Sequence, residues 1–281
     1  MTTPAAPATP AGDGRPPRRR KPPRRAEVVS VSRIAPRLVS VLVRGDELDA
    51  FADAAPTSHL KVFLPAPGQD EPLLPEFLPE GQAIPDDARP SVRTYTPRRF
   101  DATTGTLEIQ FVLHGAGPAS DWAERVSAGD KLAVAGPGGR FVMDADAERW
   151  WIAGDESAIP AVATLLEALP AAAAAEVHLE VADADDEVEF ASQAKTEITW
   201  HHRRTPDAFG AELDEGARGA AIADGTKVWV ACEAAAMRGI RRYFIGGRRL
   251  PASSLTTRGY WRLGEANHPD HDYGDDELAA R

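Results

Sequence analysis

Apolar positions along this chain follow two different rhythms. Between residues 27 and 135 they come as short runs, many alternating apolar with polar, separated by Pro, Gly and acidic clusters. Runs at 28–34 and 38–43 flank Ala35-Pro36, which reads as a turn. A third strand is predicted at 59–65, and a long Pro-, Gly- and acid-rich loop at 66–90. Strands follow at 93–98, 107–113 and 131–135, with one short amphipathic helix at 119–126. Many short strands with a single helix predict an N-terminal antiparallel β-barrel.

Beyond Gly139 strands and helices alternate. Strands are predicted at 150–153, 177–181, 197–201 and 227–231, and helices at 159–169, 208–218 and 234–243. An acidic run at 183–187 reads as a mobile turn. This order predicts a parallel sheet with helices on its faces. The expected organisation is a barrel at 26–145 and an α/β domain at 146–264, with the boundary near 141–148.

Charge adds two tails to this picture. The net charge is −11, which favours solubility and speaks against a nucleic-acid-binding body. Residues 1–25 are Pro, Ala, Thr and Arg without apolar period, and read as a disordered basic arm. Residues 265–281 carry Glu265, Asp270, Asp272, Asp275, Asp276 and Glu277, and read as an acidic tail. The lone cysteine, Cys232, excludes an internal disulfide and a self-contained iron–sulfur cluster. No run approaches the ~18 apolar residues of a membrane span. The arginines near the start are followed by an apolar segment that Arg33 and Arg37 interrupt, unlike an export signal. A cytoplasmic monomer or weak dimer, binding neither nucleic acid nor membrane, is the expectation.

The candidate chemistry begins at Arg93-Thr94-Tyr95-Thr96-Pro97-Arg98. Strand alternation puts Arg93 and Tyr95 on one side and Thr94 and Thr96 on the other. That supplies a ring able to stack and a guanidinium able to take a phosphate bidentately. The strand at 107–113 then runs into His114-Gly115-Ala116-Gly117-Pro118-Ala119-Ser120-Asp121-Trp122. Its glycines let backbone N–H groups approach a phosphate, and Ser120 can cap the helix or bind an anion.

The order from Arg93 to Gly139 resembles the siderophore-interacting proteins, FAD-dependent ferric-siderophore reductases distantly similar to ferredoxin–NADP reductases. The resemblance continues through Gly154-Asp155-Glu156-Ser157-Ala158-Ile159-Pro160, Ala231-Cys232-Glu233-Ala234 and Gly259-Tyr260-Trp261-Arg262-Leu263-Gly264. It covers residues 26–265. It implies that Arg93, Thr94, Tyr95 and Thr96 hold FAD. It also implies that Gly115, Gly117, Ala119 and Ser120 hold its pyrophosphate, with His114 and Trp122 beside it. The NAD(P)-binding set would be Gly154, Asp155, Glu156, Ser157 and Ala158, with Cys232 and Glu233 at the nicotinamide.

Two carboxylates at 155–156 stand where a pyrophosphate is expected, which implies weak or atypical nicotinamide binding. Asp183 and Asp185 at a strand end suit ribose hydroxyls, whereas Arg203 and Arg204 suit a 2′-phosphate, so NADH and NADPH both stay open. Ferredoxin is an alternative donor. Ferric siderophores are often anionic, and Lys61, Arg98, Arg258 and Arg262 are the candidate cationic rim. Nicotinamides yield two electrons and Fe(III) takes one, and FAD bridges that mismatch without a protein acid or base. A generic flavin reductase with another acceptor and a non-enzymatic siderophore-binding protein are the alternative readings.

Overall fold

A computed structural model describes residues 22–78, 82–115, 117–139, 141–269 and 272–274. Most of the basic arm, at 1–21, and the tail residues 270, 271 and 275–281 lie outside the described residues. The first half is one antiparallel sheet of seven strands: β1 (Arg24–Ala35), β2 (Leu38–Arg44), β3 (His59–Leu64), β4 (Ser91–Tyr95), β5 (Pro97–Asp101), β6 (Thr106–Val112) and β7 (Lys131–Gly138). Their order is β4-β3-β7-β1-β2-β6-β5. The edge strands β4 and β5 are consecutive in sequence, so the sheet curls back on itself, and no ladder joins them among the described residues. Alternating Val28, Val39, Val41, Val43, Leu60, Val62, Leu107, Ile109 and Phe111 fill its interior, and helix α1 (Pro118–Arg125) plugs one end with Trp122.

The second half is a five-stranded parallel sheet of β8 (Arg149–Asp155), β9 (Ala174–Val181), β10 (Lys195–His202), β11 (Lys227–Glu233) and β12 (Leu255–Trp261), ordered β10-β9-β8-β11-β12. Helices α2 (Ile159–Ala168), α3 (Ala211–Gly219) and α4 (Ala234–Arg242) cover it. The central strands β8 and β11 are buried along nearly their whole length, as parallel strands covered by helices on both faces must be. Chain order reverses between β8 and β11. In such a sheet the ligand crevice opens there, at the carboxyl ends of the strands.

Several expectations change. Strand β5 was not foreseen as separate from the Arg93 strand, because the backbone turns at Thr96 within an unbroken strand-like composition. Strand β12 was not foreseen either. Arg24 and Arg25 belong to β1 rather than to the arm. Arg24 is buried, donating to the Gly136 carbonyl at 2.9 Å with its guanidinium 5.7 Å from the Phe51 ring centre. The described part of the acidic tail packs on the second domain. Asp272 accepts from Arg238 at 2.7 Å, its carbonyl accepts from the Gly259 N–H at 2.9 Å, and the Tyr273 carbonyl accepts from Thr257 Oγ1 at 2.6 Å. The acidic turn after β9 is pinned, since Arg37 holds both Asp183 and Asp186 across the seam.

That seam joins the halves through apolar and polar contacts together. Ala35 and Leu38 pack against Ile159 and Val181, with Val112, Phe190 and Trp200 around them. The Thr57 N–H donates to Thr164 Oγ1 at 3.0 Å. Arg98 forks onto the Glu167 carboxylate of α2 at 2.9 and 2.6 Å. This removes Arg98 from the substrate rim: its charge is spent clamping the two halves together. Arg98→Ala should uncouple them, so that urea unfolding followed by tryptophan fluorescence broadens or splits. A transition identical to the parent's would show that the remaining seam contacts suffice without Arg98.

Candidate functional site

The first set of site residues gathers around the junction of β4, β6 and α1. Tyr95 packs on Phe111, with ring centres 4.4 Å apart, and Phe111 packs on Trp122 at 5.3 Å. This aromatic file fixes α1 against β4, and it places Trp122 in the core. Burial raises the Tyr95 hydroxyl above its ordinary range, so the phenol stays neutral. Arg93 folds back to donate to the Val92 carbonyl at 2.8 Å. Thr94 is exposed and accepts from Lys61 Nζ at 2.7 Å. Thr96 departs from the expected alternation. The turn into β5 buries it, with its hydroxyl near that of Tyr260 of β12.

The turn before α1 is an open cradle. Gly115 and Gly117 have φ of +76° and +105°, and a Cβ at Gly115 would meet nothing within 4 Å. Gly117, with ψ of 153°, occupies a conformation that is essentially glycine's alone. Helix α1 starts at Pro118, which has no N–H, so Ala119 and Ser120 supply the first-turn amides, with the partial positive charge of a helix start. The Ser120 hydroxyl is not presented outward. It is buried and accepts the His114 N–H at 3.1 Å, closing the loop. His114 itself is exposed at the rim.

The second set meets at the reversal between β8 and β11, and its groups are satisfied internally. Asp155 is 2% exposed. It accepts N–H groups from Ser157 at 3.0 Å, Glu233 at 2.9 Å and the Trp261 indole at 2.7 Å. Glu156 takes both terminal nitrogens of Arg203, which also lies 3.9 Å from Glu180 and 4.9 Å from the Phe209 ring centre. Glu233 caps α4, accepting from Ala235 and Ala236 at 2.6 and 3.0 Å. Gly154 serves packing rather than phosphate approach, because an added Cβ would lie 2.6 Å from Ala158 Cβ. Ala158 and Cys232 are fully buried. Burial and the surrounding carboxylates push the Cys232 thiol well up, and the side chain packs in the cluster of Met237 and Ile240.

Four acids and one guanidinium therefore share the strand ends. Burial and the neighbouring Glu156 raise Asp155 to about 6, and burial raises Glu180 to about 7. Glu180 and Trp261 were missed in the sequence. Glu180 was legible as a charge alternating with the apolar residues Val177, Leu179 and Val181, whereas nothing local marks Trp261 as a donor to Asp155.

The candidate substrate residues are only partly brought together. Lys61 sits beside Thr94 on β3. Arg258 lies over Tyr273 at 4.0 Å and close enough to Tyr260 to act on its hydroxyl, which burial raises to about 12. Arg258 is thus placed by its contact with Tyr273 on the second domain. Arg262 lies further out, paired with Glu265 at 3.3 Å. Arg204 spends its charge on Glu212 and Glu215 of α3.

A strongly curled antiparallel sheet with a glycine cradle, joined to a parallel sheet with a crevice at its reversal point, defines a two-domain flavin reductase architecture. Residues 27–141 match the siderophore-interacting FAD-binding domain, and residues 147–264 match the siderophore-interacting protein model. The chain belongs to the siderophore-interacting protein family. It is 29% identical to the ferric vibriobactin reductase ViuB of Vibrio cholerae over 85% of this chain and 89% of the relative. It is 37% identical to the NADPH-dependent ferric-chelate reductase of Escherichia coli over 50% of this chain and 55% of that one. The crystal structure of a siderophore utilization protein from T. fusca superposes with a TM-score of 0.75 at 33% identity, covering 89% of this chain and 96% of that one.

The raised carboxyls make stability depend on pH. Acids that are easier to bury neutral give their full contribution below about pH 4, the ordinary carboxyl range, and lose it as pH rises through their folded values near 6 and 7. The thermal midpoint should fall between pH 5 and pH 8, and Glu180→Gln should flatten that slope. A slope unchanged in the variant would place the titration elsewhere.

Proposed function

We propose that this protein is an FAD-dependent ferric-siderophore reductase, taking electrons from NADH or NADPH and releasing iron as Fe(II). The observation that carries the reading is the glycine cradle at the start of α1 beside the Arg93 strand, in a chain whose two halves both match siderophore-interacting proteins. The donor set suits the group. Amides of Gly115, Gly117, Ala119 and Ser120, with the Arg93 guanidinium nearby, suit a pyrophosphate, and Thr94 and the Tyr95 edge suit a flat ring system. When bound, FAD supplies the conversion between a two-electron donor and a one-electron acceptor.

The chain's residues do the positioning. The Tyr95–Phe111–Trp122 file holds the cradle rigid, and Thr96 with Tyr260 sets the second domain against it. Lys61, beside Thr94 of β4, is the candidate contact for an anionic chelate, with Arg258 and Arg262 on the second domain as further candidates. Fe(II) is held more weakly than Fe(III) by hard oxygen donors, so reduction frees the metal. No helix among the described residues is long and apolar enough to cross a membrane, and a nicotinamide-fed reductase works in the cytoplasm. Ferredoxin is the second reading for the donor, favoured by the internal pairing of the strand-end amides and Arg203.

An anaerobic absorbance titration tests the whole path. The protein should carry flavin bands near ~370 and ~450 nm that bleach with NAD(P)H and return on adding a ferric siderophore. A colourless protein overturns the proposal, and a yellow one that NAD(P)H cannot bleach moves the donor to ferredoxin. Gly117→Ala, forced into a conformation costing ~1–3 kcal/mol, should lower flavin affinity at least tenfold in a fluorescence titration while circular dichroism stays unchanged.

A further inference from the structure

Anion-binding groups line the crevice at the β8–β11 reversal, and the protein's own carboxylates occupy them. The N–H groups of Ser157, Glu233 and the Trp261 indole converge on Asp155, and the Arg203 guanidinium forks onto Glu156. Both acids begin the turn between β8 and α2, where the phosphates of a dinucleotide lie in a sheet of this topology.

The two acids are held very differently. Asp155 draws donors from three elements, so moving it would strand buried N–H groups. The hydrogen bonds of the Glu156 carboxylate go to Arg203 alone among the described residues, and it sits at 9% exposure on the rim of the cluster. Arg203 has supports that do not depend on Glu156: the Phe209 ring at 4.9 Å and Glu180 at 3.9 Å. A phosphate arriving without displacing anything would add charge to a site already holding four carboxyls. Exchanging Glu156 for phosphate keeps the charge on Arg203 balanced.

Resting on the reading that a nicotinamide dinucleotide is the donor, we propose that Arg203 is the residue that binds its phosphate and that Glu156 is a built-in competitor for that residue. Donor binding then proceeds by exchange of a carboxylate for a phosphate on one guanidinium, and Glu156 sets how weakly the nucleotide is held. The planar fork that grips a carboxylate bidentately grips a phosphate in the same way. Glu156→Gln keeps the side chain's shape and one acceptor for Arg203 while removing the competing charge.

The test is calorimetric titration of the oxidised flavoprotein with NADP+ and, separately, NAD+, which bind without turnover. Glu156→Gln should bind at least one of them about tenfold more tightly than the parent, the scale of a charge-assisted hydrogen bond. The gain should vanish in the Glu156→Gln, Arg203→Gln double variant. Equal or weaker binding by a Glu156→Gln protein with the parent's circular dichroism and flavin content overturns the proposal, as does the absence of binding in every protein. Each protein is also reduced with dithionite and mixed with a ferric siderophore. Reoxidation with no nucleotide effect sinks the exchange and leaves the reductase reading standing. Tightened nucleotide binding without reoxidation supports the exchange and sinks the reading.

Discussion

The second domain is organised around one buried carboxylate. Asp155 ends β8, the central strand, and ties it to β11 through the Glu233 N–H and to β12 through the Trp261 indole. An ionised acid this deep is tolerated because three donors converge on it, and burial still raises it to about 6. The close approach behind it needs Gly154, since no side chain fits between that backbone and Ala158. Pairing of β11 with β12 slips between Cys232 and Glu233, where Tyr260 is the extra residue. The slip sends Trp261 to Asp155 and Tyr260 to Thr96 of the first domain. One anchoring point thus closes the crevice and contributes to the seam.

The seam explains why several charged residues do not serve ligands. An arginine beside an anionic substrate and an arginine clamping two domains look identical in sequence. Arg98 is bound by Glu167, and Arg37 by Asp183 and Asp186. Those pairs span 69 to 149 residues of chain, and only the packing of Ala35 and Leu38 against Ile159 and Val181 brings them together. Lys61 on β3 and Arg258 on β12 come from different domains, the first donating to Thr94 and the second lying over Tyr273.

The two candidate sites are built in contrasting ways. The glycine cradle before α1 presents backbone amides to which no carboxylate is hydrogen-bonded among the described residues, although Asp121 lies in the first turn. The strand-end crevice answers each donor with an internal carboxylate, as suits a ligand that must come and go.

Much of this was legible in the chain by itself. Period-two apolar runs marked the antiparallel half, and the later alternation of buried strands with helices marked the parallel half, because those periods follow from backbone geometry alone. Glycines at 115 and 117 announced a turn that only a residue without Cβ can make. Tertiary structure decided what each polar group touches. Thr96 turned inward because the strand ended, Ser120 closed a loop, Cys232 became core, and Glu156 acquired Arg203 from 47 residues away. Local sequence determines conformation through sterics, which act over a few bonds. The partner of a charge is chosen by which distant strand ends the folded sheet sets side by side.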